Sequence, residues 1–339
     1  MKVFKRILKV VAWLFLVLIF FLILLYRSDL SPEYIESKYK TPESTYVNID
    51  GQNIHVRFMG EGEPIFLLHG SFSSLHTWER WQQELSPYFL TISLDFPGHG
   101  LTGPNELKAY SVSDYSLLVQ RLAEKLGLDE FHLAGNSMGG AVALQIASDR
   151  PDLVKSLNLV NSAGAPAIRP EPRQLNEKEP QKSGGAWIFK VARNPVFSKL
   201  LLKCTPKFLF RMNMKEVYFD ESKISDEVIE RYFELMLREG NRQATLDRLT
   251  GPRGSSVDFS RLNMPTLITW GEFDRWINVQ NGYRLQESIP GSKLKVFSNA
   301  GHVPMEEIPT ESVAEYLGFL GVEIRNDYFS APKMITHAD

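Results

Sequence analysis

The sequence predicts an α/β protein. It should have a mostly parallel central sheet with helices on both faces, an inserted helical cap, and one separate apolar helix at the N-terminus. Three observations carry this prediction. Short apolar runs of strand length alternate with amphipathic stretches of helix length across residues 64–160 and again across 266–319. That alternation is the mark of parallel strands joined by helical crossovers. A strand-poor stretch, 165–260, interrupts it. An unbroken apolar run, 10–26, precedes everything else.

The N-terminal run follows Lys2, Lys5, Arg6 and Lys9. At ~1.5 Å rise per residue it is roughly 25 Å long, close to the thickness of a bilayer's hydrocarbon core. A cleaved signal peptide would carry a shorter apolar stretch ending in small residues. This run instead ends Leu24-Leu25-Tyr26-Arg27-Ser28-Asp29, which favours an uncleaved transmembrane anchor. The four basic residues place the N-terminus in the cytoplasm and the remainder on the far side, periplasmic in a bacterium. The expected divisions are 1–26 for basic tail and anchor, and 27–44 for a juxtamembrane linker. Residues 45–164 and 261–325 form the core, 165–260 the cap, and 326–339 a C-terminal tail.

The core opens with alternating segments 45–49 and 53–58 around Asp50-Gly51, a strong hairpin signal. The apolar run 65–68 reads as a buried parallel strand. Further strands are expected at 90–94, 131–134, 156–160, 266–270 and 294–297. Helices are expected near 78–85, 113–126, 138–149, 279–288 and 311–319. Within the cap, 188–215 contains no acidic residue. Its Lys190, Arg193, Lys199, Lys203, Lys207, Arg211 and Lys215 are interleaved with Phe197, Leu200, Leu201, Leu202, Phe208, Leu209 and Phe210. Such a segment suits an anionic membrane surface and equally an ordinary lid helix with a solvated basic face.

Composition sets outer bounds. The 339 residues are 43% hydrophobic, enough for one large core with an insertion. A net charge of −2 gives no reason to expect a nucleic-acid partner. The single cysteine, Cys204, excludes an intrachain disulfide and a cysteine-rich metal site. It reads as a small buried residue.

The strongest chemical signal is Gly135-Asn136-Ser137-Met138-Gly139-Gly140, between the strand 131–134 and the helix that follows. A serine there sits on a sharp, strained turn, so its neighbours two residues away must be small. The turn thrusts Oγ over the sheet edge, and the helix start aims free N–H groups at it. A nucleophilic serine needs a base, and the base needs an orienting acid. Asp274 lies in the loop after strand 266–270, and His302 in the loop after strand 294–297. Of the seven histidines, His302 alone has this placement near the C-terminus. Glu272 competes for the acid role; Asp274 is preferred as lying deeper in the loop with a shorter side chain. His69-Gly70-Ser71-Phe72 follows strand 65–68. Its loop can offer a backbone N–H, from Ser71 or as runner-up Phe72, to an oxyanion shared with the N–H of Met138. His69, and Asp95 and His99 of Asp95-Phe96-Pro97-Gly98-His99-Gly100, read as loop-bracing residues.

Taken in this order, the motifs resemble the α/β-hydrolase superfamily across roughly residues 45–320. The anchor, the elbow and the cap are most similar to its monoacylglycerol-lipase-like branch and to membrane-anchored bacterial lipases and phospholipases A. The resemblance implies ester hydrolysis through an acyl-enzyme on Ser137, with Asp274 and His302 completing a triad and no cofactor or metal. The expected partner is a small-molecule or lipid ester. The anchor and the basic, apolar cap motivate a lipid ester, a monoacylglycerol or a glycerophospholipid, as the leading substrate. Haloalkane dehalogenases and epoxide hydrolases share the fold but use an aspartate nucleophile, which Ser137 argues against. Ser71 departs from the pattern, since many relatives carry an apolar residue there. Hydrolysis of a carbon–carbon, thioester or amide bond, or ligand binding without catalysis, are the alternatives.

Overall fold

The computed structural model describes residues 2–166, 194, 198, 199, 202–252, 254 and 256–323. Eight strands form one sheet: β1 (Ser44–Ile49), β2 (Gln52–Met59), β3 (Pro64–Leu68), β4 (Leu90–Leu94), β5 (Phe131–Asn136), β6 (Val154–Val160), β7 (Thr266–Gly271) and β8 (Lys293–Phe297). Their spatial order is β1-β2-β4-β3-β5-β6-β7-β8. β1 pairs antiparallel with β2, and β2 with β4; every other junction is parallel. The sheet is therefore mostly parallel, as expected, with a hairpin on one edge. Ile49 faces Gln52 across the last rung of that hairpin, which leaves Asp50-Gly51 as its turn.

The described helices are α1 (Lys2–Leu25), α2 (Pro32–Tyr39), α3 (Glu79–Leu85), α4 (Val112–Lys125), α5 (Met138–Asp149), α6 (Lys207–Val217), α7 (Asp226–Leu237), α8 (Asn241–Thr250), α9 (Gln280–Ser288), α10 (Pro304–Glu307) and α11 (Pro309–Phe319). Local chemistry sets their starts. At α4, Ser111 accepts the Asp114 N–H while the Asp114 carboxylate accepts the Ser111 N–H, a reciprocal capping box.

Side chains alternate between the two faces of the sheet. On β3, Phe66 and Leu68 point into one core with Val119 and Leu122 of α4 and Val142 and Ile146 of α5. Ile65 and Leu67 point into the other, with Trp81 and Leu85 of α3 and Tyr316 and Leu317 of α11. Burial on both faces explains why β3 reads as a continuous apolar run rather than an alternating one. Trp81 is the hub of the second core. It stacks on Tyr316 at 5.5 Å between centroids and donates its indole N–H to Ser312 Oγ at 2.9 Å. Trp81→Ala should cost about 3–5 kcal/mol, the usual range for a fully buried aromatic. Urea unfolding monitored by circular dichroism checks it, and a loss below about 1 kcal/mol would contradict this packing.

The strand order reverses at β3. The chain leaves β3 for β4 on one side, then crosses to β5 on the other and continues away. Open α/β sheets bind ligands in the crevice at such a reversal, beyond the C-terminal strand ends. The loops carrying His69 and Ser137 flank it.

α1 contains a 23-residue stretch, Val3–Leu25, long and apolar enough to cross a bilayer. The segment after it carries a short helix that packs on the domain. α2 buries Ile35 against Leu101 and Leu235, Tyr39 donates to Glu234 at 2.7 Å, and Lys38 pairs with Glu230 and Glu234. Arg242 of α8 binds Asp29 at 2.7 Å and the Arg27 carbonyl at 2.9 Å. Tyr26 forms a β-bridge with Cys204, and the Arg27 N–H donates to the Lys203 carbonyl at 2.8 Å. The root of the apolar helix is thus bolted to the segment inserted between β6 and β7. Cys204 is buried at this joint, its Sγ 3.7 Å from the Leu22 carbonyl.

The basic stretch is less free than its composition implies. Lys207 pairs with Glu230, Arg211 with Asp226, and Lys215 with Glu221. Acids from the following sequence therefore neutralise three of its charges. Leu209 and Phe210 turn inward to line a cavity rather than outward, while Phe208 remains exposed. Lys190, Arg193, Phe197, Leu200 and Leu201 lie outside the described residues.

Candidate active site

Ser137 sits between β5 and α5 with φ 53° and ψ −116°. That is a backbone region costing of order 1–3 kcal/mol for a non-glycine residue. The turn is held by its own amides. The Ser137 N–H donates to the Val160 carbonyl at 3.2 Å, and its carbonyl accepts from Gly140, Ala141 and Ala163. Two glycines make the packing possible. A Cβ on Gly139 would lie 2.1 Å from the Leu68 carbonyl oxygen, so only glycine lets α5 start against the end of β3. A Cβ on Gly70 would lie 2.9 Å from Asn136 Oδ1 and 3.0 Å from Ser137 Cβ. The glycine therefore brings the His69–Phe72 loop onto the elbow.

Asp274 and His302 meet in the loops after β7 and β8. His302 Nδ1 lies 2.7 Å from Asp274 Oδ2. The carboxylate is fully engaged. Oδ1 accepts the N–H groups of Trp276 and Ile277 at 2.8 and 2.9 Å, and Oδ2 also accepts Asn161 Nδ2 at 2.7 Å. Glu272, the competing acid, is exposed, whereas Asp274 is buried. The backbone of His302 is pinned on both sides: its N–H donates to Val217 of α6 at 2.7 Å, and its carbonyl accepts Asn136 Nδ2 at 3.0 Å. The elbow residue Asn136 thereby ties the Ser137 turn directly to the His302 loop.

The amides of Ser71 and Met138 are the expected oxyanion donors. Neither has an acceptor among the described residues. Phe72 follows Ser71 at φ 63°, a strained conformation that turns the loop at this point. His69 has no nitrogen left for proton transfer. Its Nδ1 bonds the Gly70 carbonyl at 2.7 Å and its Nε2 accepts the Phe96 N–H at 3.0 Å; burial lowers its pKa. Asp95 accepts the N–H groups of Leu75 and Leu101 and pairs with His55 at 2.8 Å. Burial opposes its ionisation, but the His55 hydrogen bond and charge hold the carboxyl below the usual carboxylate range. His99 is buried against His69 and Tyr115, with Nδ1 on the Pro97 carbonyl. All three residues brace loops. Among the described residues no group of His, Cys, Asp and Glu is arranged to hold a metal.

Three residues at the site were not anticipated. Asn161, at the end of β6 with φ 45°, bridges Asp274 Oδ2, the Gly301 carbonyl and the Gly271 N–H. Glu307 of α10 accepts the Gly301 N–H at 2.7 Å and the Phe219 N–H at 2.8 Å, clamping the inserted segment onto the His302 loop. Burial pushes its carboxyl pKa up. Arg248 of α8 reaches Ser71 Oγ at 3.0 Å and Met138 Sδ at 3.6 Å. Beside the site an apolar cavity of about 130 Å³ runs between Phe72 and the inserted helices, walled by Leu202, Leu209, Phe210, Leu246 and Leu249.

Known proteins share this framework. Residues 63–309 match the family of the alpha/beta hydrolase fold. A Pseudomonas 2-hydroxy-6-oxononadienedioate/2-hydroxy-6-oxononatrienedioate hydrolase is 26% identical over 74% of this chain and 85% of its own length. A 2-hydroxy-6-oxo-6-phenylhexa-2,4-dienoate hydrolase of Comamonas testosteroni is 26% identical over 74% of the chain and 84% of its own. The crystal structure of a bacterial membrane phospholipase A superposes with a TM-score of 0.66 at 23% identity, covering 95% of this chain and 98% of that one. An epoxide hydrolase, CorEH, superposes with a TM-score of 0.68 at 21% identity over 82% and 98%. At these identities the two structures speak for the fold alone. The sheet order, the elbow and the family match together place this chain in the α/β-hydrolase family, as a hydrolase.

Proposed function

We propose that this chain is a membrane-anchored serine ester hydrolase whose substrate is a lipid ester. The observation that carries the catalytic part is the Asp274–His302 hydrogen bond, tied through Asn136 to the strained Ser137 turn, with two unengaged amides at the same strand ends. In this reading His302 takes the Ser137 Oγ proton as Oγ attacks the ester carbonyl. The Ser71 and Met138 amides hold the oxyanion. Asp274 orients the imidazole and stabilises its charged form. The proton passes to the leaving alcohol, and water then releases the acid from the acyl-enzyme by the same steps.

The lipid part rests on where the apolar cavity lies. Its walls belong to the inserted segment that is bolted to the root of α1. If α1 spans a bilayer, an apolar space with room for the first few carbons of an acyl chain sits near the lipid boundary. The four N-terminal charges set the catalytic part on the extracytoplasmic side. The insert acts as the lid, with residues 45–164 and 261–325 as core.

The curated relatives favour a second reading. Their named substrates are 2-hydroxy-6-oxo acids, which a serine hydrolase would cleave at a carbon–carbon bond. One screen separates the two. Full-length protein in detergent micelles is offered a monoacylglycerol, a lysophospholipid, a diacyl phospholipid and 2-hydroxy-6-oxo-6-phenylhexa-2,4-dienoate. Fatty-acid release from at least one lipid is the expected result. Cleavage of the dienoate with every lipid left intact would overturn the ester reading.

A further inference from the structure

We propose that Arg248 is an anion-binding element of the substrate site: it pairs with a phosphate or carboxylate group that the substrate carries close to its scissile carbonyl. The proposal deepens the ester reading above by naming a charged substrate class, but its test does not require turnover.

The argument starts from unmet valence. A guanidinium has five N–H donors and is strongly stabilised by pairing with an oxyanion. Arg248 uses only Nη1, on Ser71 Oγ at 3.0 Å and more weakly on Met138 Sδ at 3.6 Å. Its Nε and Nη2 are buried and have no hydrogen-bond partner among the described residues. None of the described carboxylates forms a salt bridge with it. The face of Phe72 lies 5.6 Å from the guanidinium carbon. Burial accordingly pulls its pKa down, with only Tyr115 opposing. Arg242, buried on the same helix, pairs with Asp29, whereas buried Arg57 is held by the neutral amide of Gln82 with one nitrogen left over; Arg248 differs from Arg57 in standing at the strand ends beside the elbow. An uncompensated buried charge is unfavourable unless something completes it.

Position then says what completes it. Both side chains to which Arg248 hydrogen-bonds belong to the residues whose amides are the proposed oxyanion donors. Its charge therefore stands next to the scissile bond. On the same helix, Thr245, Leu246 and Leu249 wall the apolar cavity, and Phe72 contributes to the cavity wall and faces the guanidinium. A molecule with its chain in the cavity and its carbonyl at Ser137 would present its next polar group to Arg248. A lysophospholipid offers a phosphodiester there, whereas a neutral monoacylglycerol offers only hydroxyls.

The test measures binding of three uncleavable ligands to the full-length protein in neutral detergent by calorimetry: octyl phosphate, octyloxyacetate and 1-O-octylglycerol. Wild type should bind at least one anion on the order of 10- to 100-fold more tightly than the neutral ether, as expected of hydrogen bonds to a charged group. The tighter of the two anions tells whether a phosphate or a carboxylate is the natural partner. Arg248→Gln should reduce the anion preference to about 2-fold or less, and Arg248→Lys should restore part of it. Equal binding of all three ligands by wild type overturns the proposal, and so does a preference that survives in Arg248→Gln. Should Arg248→Gln fail to fold, undiminished selectivity in Arg248→Lys together with a salt-independent preference overturns it. Failure of the lipid screen with retained anion selectivity would sink the ester reading and leave Arg248 standing.

Discussion

Ser137→Ala should reduce hydrolysis by on the order of 10⁵- to 10⁶-fold, the usual consequence of deleting a serine nucleophile that acts as one unit with its base. Labelling by a fluorophosphonate probe should vanish with it. The prediction is sharp because the substitution changes so little else. The turn is fixed by backbone hydrogen bonds, from the Ser137 N–H to Val160 and from Gly140, Ala141 and Ala163 to the Ser137 carbonyl. None of these involves Oγ. Alanine at φ 53° carries the same strain as serine, so stability should barely move. Ser137→Gly should be equally inactive but more stable by about 1 kcal/mol, because glycine relieves a positive φ. Both variants are compared with wild type by kcat on a fluorogenic ester and by thermal unfolding. Activity of Ser137→Ala within about 10-fold of wild type would remove the serine from the mechanism.

Much of this framework was readable from the residues. The alternation of apolar runs and amphipathic stretches gave the parallel sheet, because a strand buried on both faces, such as β3, has no polar positions to disguise it. The elbow was readable because close packing at Gly139 restricts the residue to glycine. The Asp274–His302 meeting was readable because both loops follow parallel strands, which places them on one edge. What escaped is instructive. Arg248 lies on a mostly polar helix with Arg242, Gln243 and Asp247, and its pattern cannot tell which basic residue turns inward. Its contact with Ser71 spans 177 residues, and only the tertiary fold creates it. The docking of α2 escaped for the same reason. Its polar surface reads as a linker, yet Glu230 and Glu234 of α7 provide partners for Lys38 and Tyr39. Asn161 left a faint signal, a polar residue ending a buried strand, and asparagine tolerates the positive φ it adopts. The pairing of the basic stretch was not readable either. Local composition counted its charges but not the acids that α7 and the Glu221 turn bring to them.

Asp274→Asn should lower kcat by about 10⁴-fold, the size of effect known when the acid of a serine–histidine pair is made an amide, while leaving the fold intact. The structure dictates how. Asp274 Oδ1 accepts two backbone N–H groups, from Trp276 and Ile277. An asparagine must keep its carbonyl oxygen there, because an NH₂ group would face two donors. Its NH₂ is then forced into the Oδ2 position, against His302 Nδ1 and Asn161 Nδ2. His302 can satisfy that donor only by presenting a bare Nδ1, which moves its proton to Nε2. Nε2, the nitrogen that the proposed mechanism needs as acceptor, is then a donor and cannot take the Oγ proton. Asn161 meets a second NH₂ as well, so its carboxamide must rotate or lose its bond. Asp274→Ala should be less damaging than Asp274→Asn at high pH, since it leaves the imidazole free to take either tautomer. Glu272→Gln should change kcat by less than about 3-fold, because that side chain is exposed and exposed charges away from the reacting atoms have small effects. The pair of measurements separates the two acids. A large loss in Glu272→Gln with near-wild-type activity in Asp274→Asn would reverse the assignment.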